Sequence, residues 1–294
     1  MDKNSDSGQK AVPWWRRGRF QSGGKIIPEN ELGPESKANI VLVTDGASIP
    51  NPRELRLINA WSISLAGAVG SLLALVLIWP DPYKRILLYL PDGVAVTFEI
   101  TILSICCAIP LGLATGLGRI SKNRLINLVA STYVEVIRGI PLLVQLFYIY
   151  YALSRFFQVS GVVSAVIAIS VCYGAYMGEV FRAGIMAIPK GQSEAARSLG
   201  FNKFQTMFLV ILPQAWRTIL PPVGNECIAM LKDTSLVSIL AVPDIMQRAR
   251  SFVGTTYLYF ETYTVVALIY LIITLILSKF VSAMEGRLNF YDGK

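Results

Sequence analysis

Hydrophobic positions along this chain fall in long unbroken runs, not in the three-and-four spacing of a soluble helix or the alternation of a half-buried strand. A membrane-spanning helix needs roughly 20 apolar residues, because about 30 Å of hydrocarbon is crossed at 1.5 Å per residue. Residues 61–79 and 156–178 meet that length with no acidic or basic residue, 94–117 carry only Glu99, and 129–153 carry only Glu135 and Arg138. Residues 262–278 form a last clean run. Between them, residues 204–242 are mostly apolar but interrupted by Pro213, Arg217, Pro221, Pro222, Glu226, Lys232 and Asp233, a pattern that predicts one broken crossing. The expected fold is therefore all-α, a polytopic bundle of about six transmembrane helices. No repeat of 20 to 50 residues interrupts it.

Six crossings put both termini on one side of the bilayer, and Lys and Arg in the connections decide which. One set of connections holds nineteen of them and the opposite set only five, so both termini are predicted to be cytoplasmic. Residues 1–59 mix Pro, Gly and Ser with nine basic and seven acidic residues, the composition of a mostly disordered tail. Within it, Trp14, Trp15, Arg16, Arg17 and Arg19 suit either an anionic leaflet or plain solvation. The first apolar run begins some 60 residues in, which does not fit a cleaved signal peptide. Residues 60–93 then read as an added first helix with its outer loop, and 94–288 as the main membrane domain.

Composition narrows the chemistry. Of 294 residues, 53% are hydrophobic and 16% charged, against about 25% charged in soluble domains, which argues against a soluble enzyme. The net charge of +8 accompanies no nucleic-acid motif, so the bilayer and not a nucleic acid is the expected partner of the basic residues. The absence of histidine removes Ser-His-Asp, Cys-His and His-rich zinc chemistry together. Cys106, Cys107, Cys172 and Cys227 lie inside apolar runs without metal-ligand spacing and read as small buried apolar residues. No metal site and no catalytic residue is predicted.

The most informative stretch joins the fourth and fifth crossings, over residues 183–213. Pro189 and Gly191 are expected to stop one helix, Gln192 or Ser193 to open the next, Glu194 to complement the positive end of its dipole, and Gly200 to take the left-handed position after its end. The prediction is a helix of about two turns projecting from the membrane, with Ala195 and Ala196 forming a face without bulk. A plain hairpin between two spans fits the same residues.

Here the residues carry a resemblance. Glu194-Ala195-Ala196, then Gly200, then Ile211-Leu212-Pro213 resemble the cytoplasmic coupling loop of permease subunits of ATP-binding-cassette importers. Residues 133–145 (Tyr133 through Glu135, Arg138, Gly139 and Pro141 to Gln145), 188–192 and 231–238 resemble the polar amino acid branch of those permeases, which serves histidine, glutamine, glutamate, arginine and opines. The similarity runs over about two thirds of the chain, with the tail and first crossing outside it. It implies a type I importer permease that pairs with a second permease subunit, identical or homologous. By the same resemblance, two ATP-binding-cassette ATPase subunits drive it, an extracytoplasmic amino-acid-binding protein feeds it, and the helix around Glu194 docks on the ATPase. The chain has no Gly-x-x-x-x-Gly-Lys-Ser/Thr, so it binds no cofactor by that device, and ATP and Mg²⁺ are expected on the partner.

An ionised side chain deep in lipid costs at least about 2.5 to 3.5 kcal/mol, so such residues face protein or water. Glu135 with Arg138, and Glu179 with Arg182, stand three apart on their helices and are expected to pair as structural or gate charges. Lys232 and Asp233 are adjacent and point to different sides of a helix. A free amino acid needs acceptors and donors together, and Gln145, Asn225, Glu226 and Glu99 are the candidates for its pathway. Gly112 with Gly116, and Gly174 with Gly178, form small-x-x-x-small pairs suited to close helix packing. Two other classes compete. An ion-gradient secondary transporter would work alone and leave the coupling loop unexplained. An intramembrane enzyme would need a catalytic pair such as two Asp residues within spans, and Asp233 is the one Asp there.

Overall fold

The structure, a computed structural model, describes residues 20–22, 25–27, 59–157 and 159–289. The chain divides into two compact units, residues 1–57 and 58–294. In the first, β1 (Phe20–Ser22) and β2 (Lys25–Ile27) form an antiparallel hairpin with Phe20 opposite Ile27 and Ser22 opposite Lys25. The expectation of a disordered tail, with its Trp14 to Arg19 cluster, otherwise lies outside the described residues.

The second unit is helical throughout its described residues. Its helices are α1 (Ala60–Ile78), α2 (Pro80–Tyr89), α3 (Pro91–Ile120), α4 (Arg124–Gly139), α5 (Leu142–Phe156), α6 (Gly161–Met186), α7 (Lys190–Ser198), α8 (Leu212–Asp233), α9 (Ile245–Thr256) and α10 (Tyr259–Asn289). The spans α1, α3, α6 and α10 are long and apolar enough to cross a bilayer alone. The third predicted crossing is not one helix: α4 and α5 meet at 105°. Gly139 and Pro141 explain the bend, since Pro141 has no N–H for the carbonyl of Ile137 and Gly139 has open space around it. The predicted break in the fifth crossing is also displaced. Pro221 and Pro222 lie inside an uninterrupted α8, and the irregular backbone comes instead at its two ends, a π-turn at Thr206–Ile211 and a 3₁₀ turn at Thr234–Leu240.

The main core is built where α3 lies along α6. A Cβ added at Gly112 would come 2.6 Å from Cβ of Met177, and one at Gly116 would come 2.9 Å from the carbonyl oxygen of Gly178, so both glycines exist to admit a neighbouring backbone. Both small-residue pairs are thereby used inside the chain. Phe181, Ile169 and Met177 of α6 belong to this core, and Ile219 of α8 joins it against Gly184. A second core joins Tyr83, Ile86 and Leu90 of the α2 region to Ile245, Ala249 and Phe252 of α9 and Val265 and Val266 of α10. The added first helix leans on α10, where Trp61 Nε1 donates to the Leu275 carbonyl at 2.8 Å and Lys279 Nζ lies 5.1 Å from the Trp61 ring.

At the end of the bundle away from α7, Asp244 caps α9 by accepting from the Gln247 amide at 2.8 Å, while its Oδ2 is buried without a partner. It lies outside every span. Burial pushes its carboxyl up to about 6, against the opposing pull of backbone amides. A raised carboxyl holds its proton more tightly folded than unfolded, so the stability it contributes is present in acid and is lost as the pH rises towards about 6. Asp244→Asn keeps the cap and removes the buried charge. We expect it to raise the thermal midpoint by about 2–4 °C at pH 8 and not at pH 4, as read by fluorescence-detected unfolding; an equal change at both values would contradict this account.

Candidate functional site

The break between α4 and α5 opens a cavity of about 440 Å³, lined by Arg138 through Leu142, by Cys172, Tyr173 and Tyr176 of α6, and by Glu226, Ala229 and Asp233 of α8. Arg138 stands in the last turn of α4, where the negative end of the helix dipole favours a guanidinium. It does not pair with Glu135 as the spacing predicts but lies 5.0 Å from the centroid of the Tyr176 ring. Glu135 is exposed on the same helix. Asp233 is the last residue of α8, at a helix end that disfavours an anion, and the Tyr173 hydroxyl donates to its Oδ2 at 2.8 Å. Tyr173 and Tyr176 stand with ring centroids 5.9 Å apart. A guanidinium, two carboxylates and two aromatic faces thus surround one cavity.

Of the predicted pathway residues, Glu226 is in this wall. Gln145 is buried behind it, with Nε2 donating to the carbonyls of Ile137 at 2.7 Å and Ile140 at 2.8 Å. Asn225 and Glu99 are exposed and do not line the cavity. Lys232 is exposed while Asp233 turns inward, in line with their expected divergence. Tyr173, Tyr176 and Cys172 were not among the sequence candidates, since aromatic and thiol side chains in an apolar run look like core.

Charges also gather at the end of the bundle that carries α7. Glu179 pairs with Arg182 as predicted, at 3.0 Å, and its other oxygen meets Arg119 of α3, a partner that the spacing rule did not supply.

The connection between α6 and α8 contains the expected short helix, with one shift. It opens at Lys190, after Pro189, so Gly191 lies in its first turn and does not end the preceding helix. Its end follows the prediction. Gly200 has φ +88°, its amide donates to the Arg197 carbonyl at 3.0 Å, and the Phe201 amide reaches the Ala196 carbonyl at 3.2 Å, the two bonds of a glycine-closed helix end. Glu194 and Ala195 are exposed, whereas Ala196 is buried against its own chain and not on a free face. Ile211 is buried, Leu212 half-buried and Pro213 exposed in the first turn of α8. Gln214 Nε2 ties α8 back to the short helix through Gln192 Oε1 at 3.3 Å.

A bent crossing that opens a charged cavity, together with a solvent-facing short helix between two spans, fits a membrane permease. The sequence profile described as "Binding-protein-dependent transport system inner membrane component" matches residues 108–289, and the chain belongs to that family. It is 42% identical over 208 residues to the L-cystine transport system permease protein of Bacillus subtilis (strain 168), covering 70% of this chain and 88% of that one. It is 35% identical over 201 residues to the glutamine transport system permease protein of Escherichia coli (strain K12), covering 67% and 92%. A crystal structure of an amino acid ABC transporter with histidines matches with a TM-score of 0.64 and 41% identity, over 70% of this chain and 95% of that one. The protein is thus a multi-pass inner-membrane permease of ATP-binding-cassette import, a binding-protein-dependent process, and the ion-gradient alternative has no support.

Proposed function

We propose that this chain forms the translocation pathway of an ATP-driven importer for polar or charged amino acids and couples it to separate ATPase subunits. One observation carries the reading: an arginine and two carboxylates face a single cavity inside the spanning region. A free amino acid carries a carboxylate and an ammonium on one carbon. Arg138 suits the carboxylate, Glu226 and Asp233 suit the ammonium, and the rings of Tyr173 and Tyr176 suit the remaining surface. The names of the relatives, which specify cystine and glutamine and, for another from Bacillus subtilis, arginine, support this substrate class.

The energy comes from outside the chain, with ATP and Mg²⁺ on two ATPase subunits. The short helix α7, with Glu194 and Ala195 outward, is the proposed docking element, and both termini are then cytoplasmic with it. Closure of the ATPases moves α7, and Gln192, Gln214 and α8 pass the motion to the wall that holds Glu226 and Asp233. An extracytoplasmic binding protein delivers the amino acid to the opposite end. A second permease subunit, identical or homologous, covers the face of α4 that exposes Glu135 and Arg138, since lipid there would cost at least about 2.5 kcal/mol per charge.

The test is composition and count. The tagged chain, extracted from its own membrane in mild detergent and analysed by mass spectrometry, should bring an ATPase in two copies, with either one permease species or two. Recovery of the chain alone, under conditions that preserve other membrane complexes, would reverse the reading.

A further inference from the structure

The carbonyl of Ile137 would be bonded in a continuous helix by the amide of residue 141, and that residue is Pro141, which has none. The carbonyl of Ile140 is also released, because the amides of Val144 and Gln145 both turn to the carbonyl of Pro141. Both freed acceptors are met by one group, the carboxamide Nε2 of Gln145, at 2.7 and 2.8 Å. Gln145 is only 5% exposed, and the same nitrogen lies 3.8 Å from Cys172 Sγ across the boundary with α6. An unmet carbonyl inside a membrane protein costs several kcal/mol, so a break of this kind persists only where something supplies the missing donor.

What the break holds is the cavity. Arg138, Gly139, Ile140, Pro141 and Leu142, the residues of the bend, form one side of it, and Cys172 forms part of the other. We propose that Gln145 is a positioning residue: its side-chain amide pins the α4–α5 bend and so fixes where Arg138 and the bend backbone stand in the cavity, without itself touching the amino acid. This rests on the transport reading for its consequence but not for its geometry. Its Oε1 is buried without a partner, so the carboxamide is held by its donor side alone.

The test compares Gln145→Met, equal in length but without a donor, with Gln145→His, whose ring Nε2–H reaches as far and donates. Both are made in the full chain after Cys106→Ser, Cys107→Ser and Cys227→Ala, so that Cys172 is the one remaining thiol, and the complete complex is reconstituted in liposomes. Two quantities are read, the rate at which a charged methanethiosulfonate reagent modifies Cys172 and the ATP-driven uptake of radiolabelled glutamine and arginine. We expect Gln145→Met to speed modification at least tenfold and to cut uptake at least tenfold, and Gln145→His to recover a large part of both. Unchanged rates in Gln145→Met, a His variant no better than Met, or failure of the Met variant to assemble would each overturn the proposal, the last by assigning Gln145 to folding in general. If the unaltered complex takes up neither amino acid, the transport reading loses support while the thiol rates still decide whether Gln145 holds the bend.

Discussion

Asp233→Asn should lower ATP-driven uptake at saturating binding protein by at least tenfold, with the amount of assembled complex and the basal ATP hydrolysis within twofold of the unaltered protein. The substitution is nearly isosteric, and its carbonyl oxygen can still accept from the Tyr173 hydroxyl, so the contact at 2.8 Å survives and the fold with it. What disappears is the negative charge at the end of α8. A hydrogen bond to a charged partner contributes about 1.5 to 3 kcal/mol, and each 1.4 kcal/mol is a factor of ten in occupancy. Glu226→Gln should act in the same direction through the same cavity. Asn225→Ala, one residue earlier and exposed, should leave uptake within twofold. If Asn225→Ala were as damaging as Asp233→Asn, the loss would belong to α8 as a helix and not to the carboxylates that face the cavity.

How far the sequence reveals this arrangement depends on which force writes each feature. Crossings were legible because hydrocarbon demands an uninterrupted apolar run, and α1, α3, α6 and α10 appear close to where the runs predicted. The end of α7 was legible for a related reason: a left-handed residue strongly favours Gly, and Gly200 occupies it at φ +88°. The bend at residues 139–141 does not follow from the apolar run, although Gly139 and Pro141 stand in plain view. Proline alone does not decide such a matter. Pro221 and Pro222 sit in α8 without breaking it, one turn after an exposed stretch at Arg217 and Thr218. At Pro141 the freed carbonyls are captured by Gln145, a contact that depends on folding the next helix back. Tyr173, Tyr176 and the Arg119–Glu179 pair escaped for the same reason, since each acquires its role from the packing of α6 against another helix.

Gly200→Val should uncouple ATP hydrolysis from uptake. A β-branched residue at φ +88° is strained by about 1 to 3 kcal/mol, and nothing within 4 Å of the position obstructs a side chain, so the strain is in the backbone and not in packing. Relief comes from giving up the bonds of Gly200 to Arg197 and of Phe201 to Ala196, which frees the end of α7 from the turn leading to Thr206–Ile211 and α8. A docking helix that is no longer fixed to α8 can still be gripped by an ATPase, but its movement is not passed to the cavity wall. The expected result in liposomes is retained hydrolysis with at least tenfold more ATP consumed per amino acid imported. Gly200→Asn, a residue that tolerates positive φ better than most, should restore much of the ratio. Glu194→Ala, exposed on the free face of the same helix, should instead weaken the association itself, seen as ATPase lost from the purified complex. A Gly200→Val complex with a normal ratio would mean that α7 transmits its motion without a fixed end, and the route through α8 would have to be abandoned.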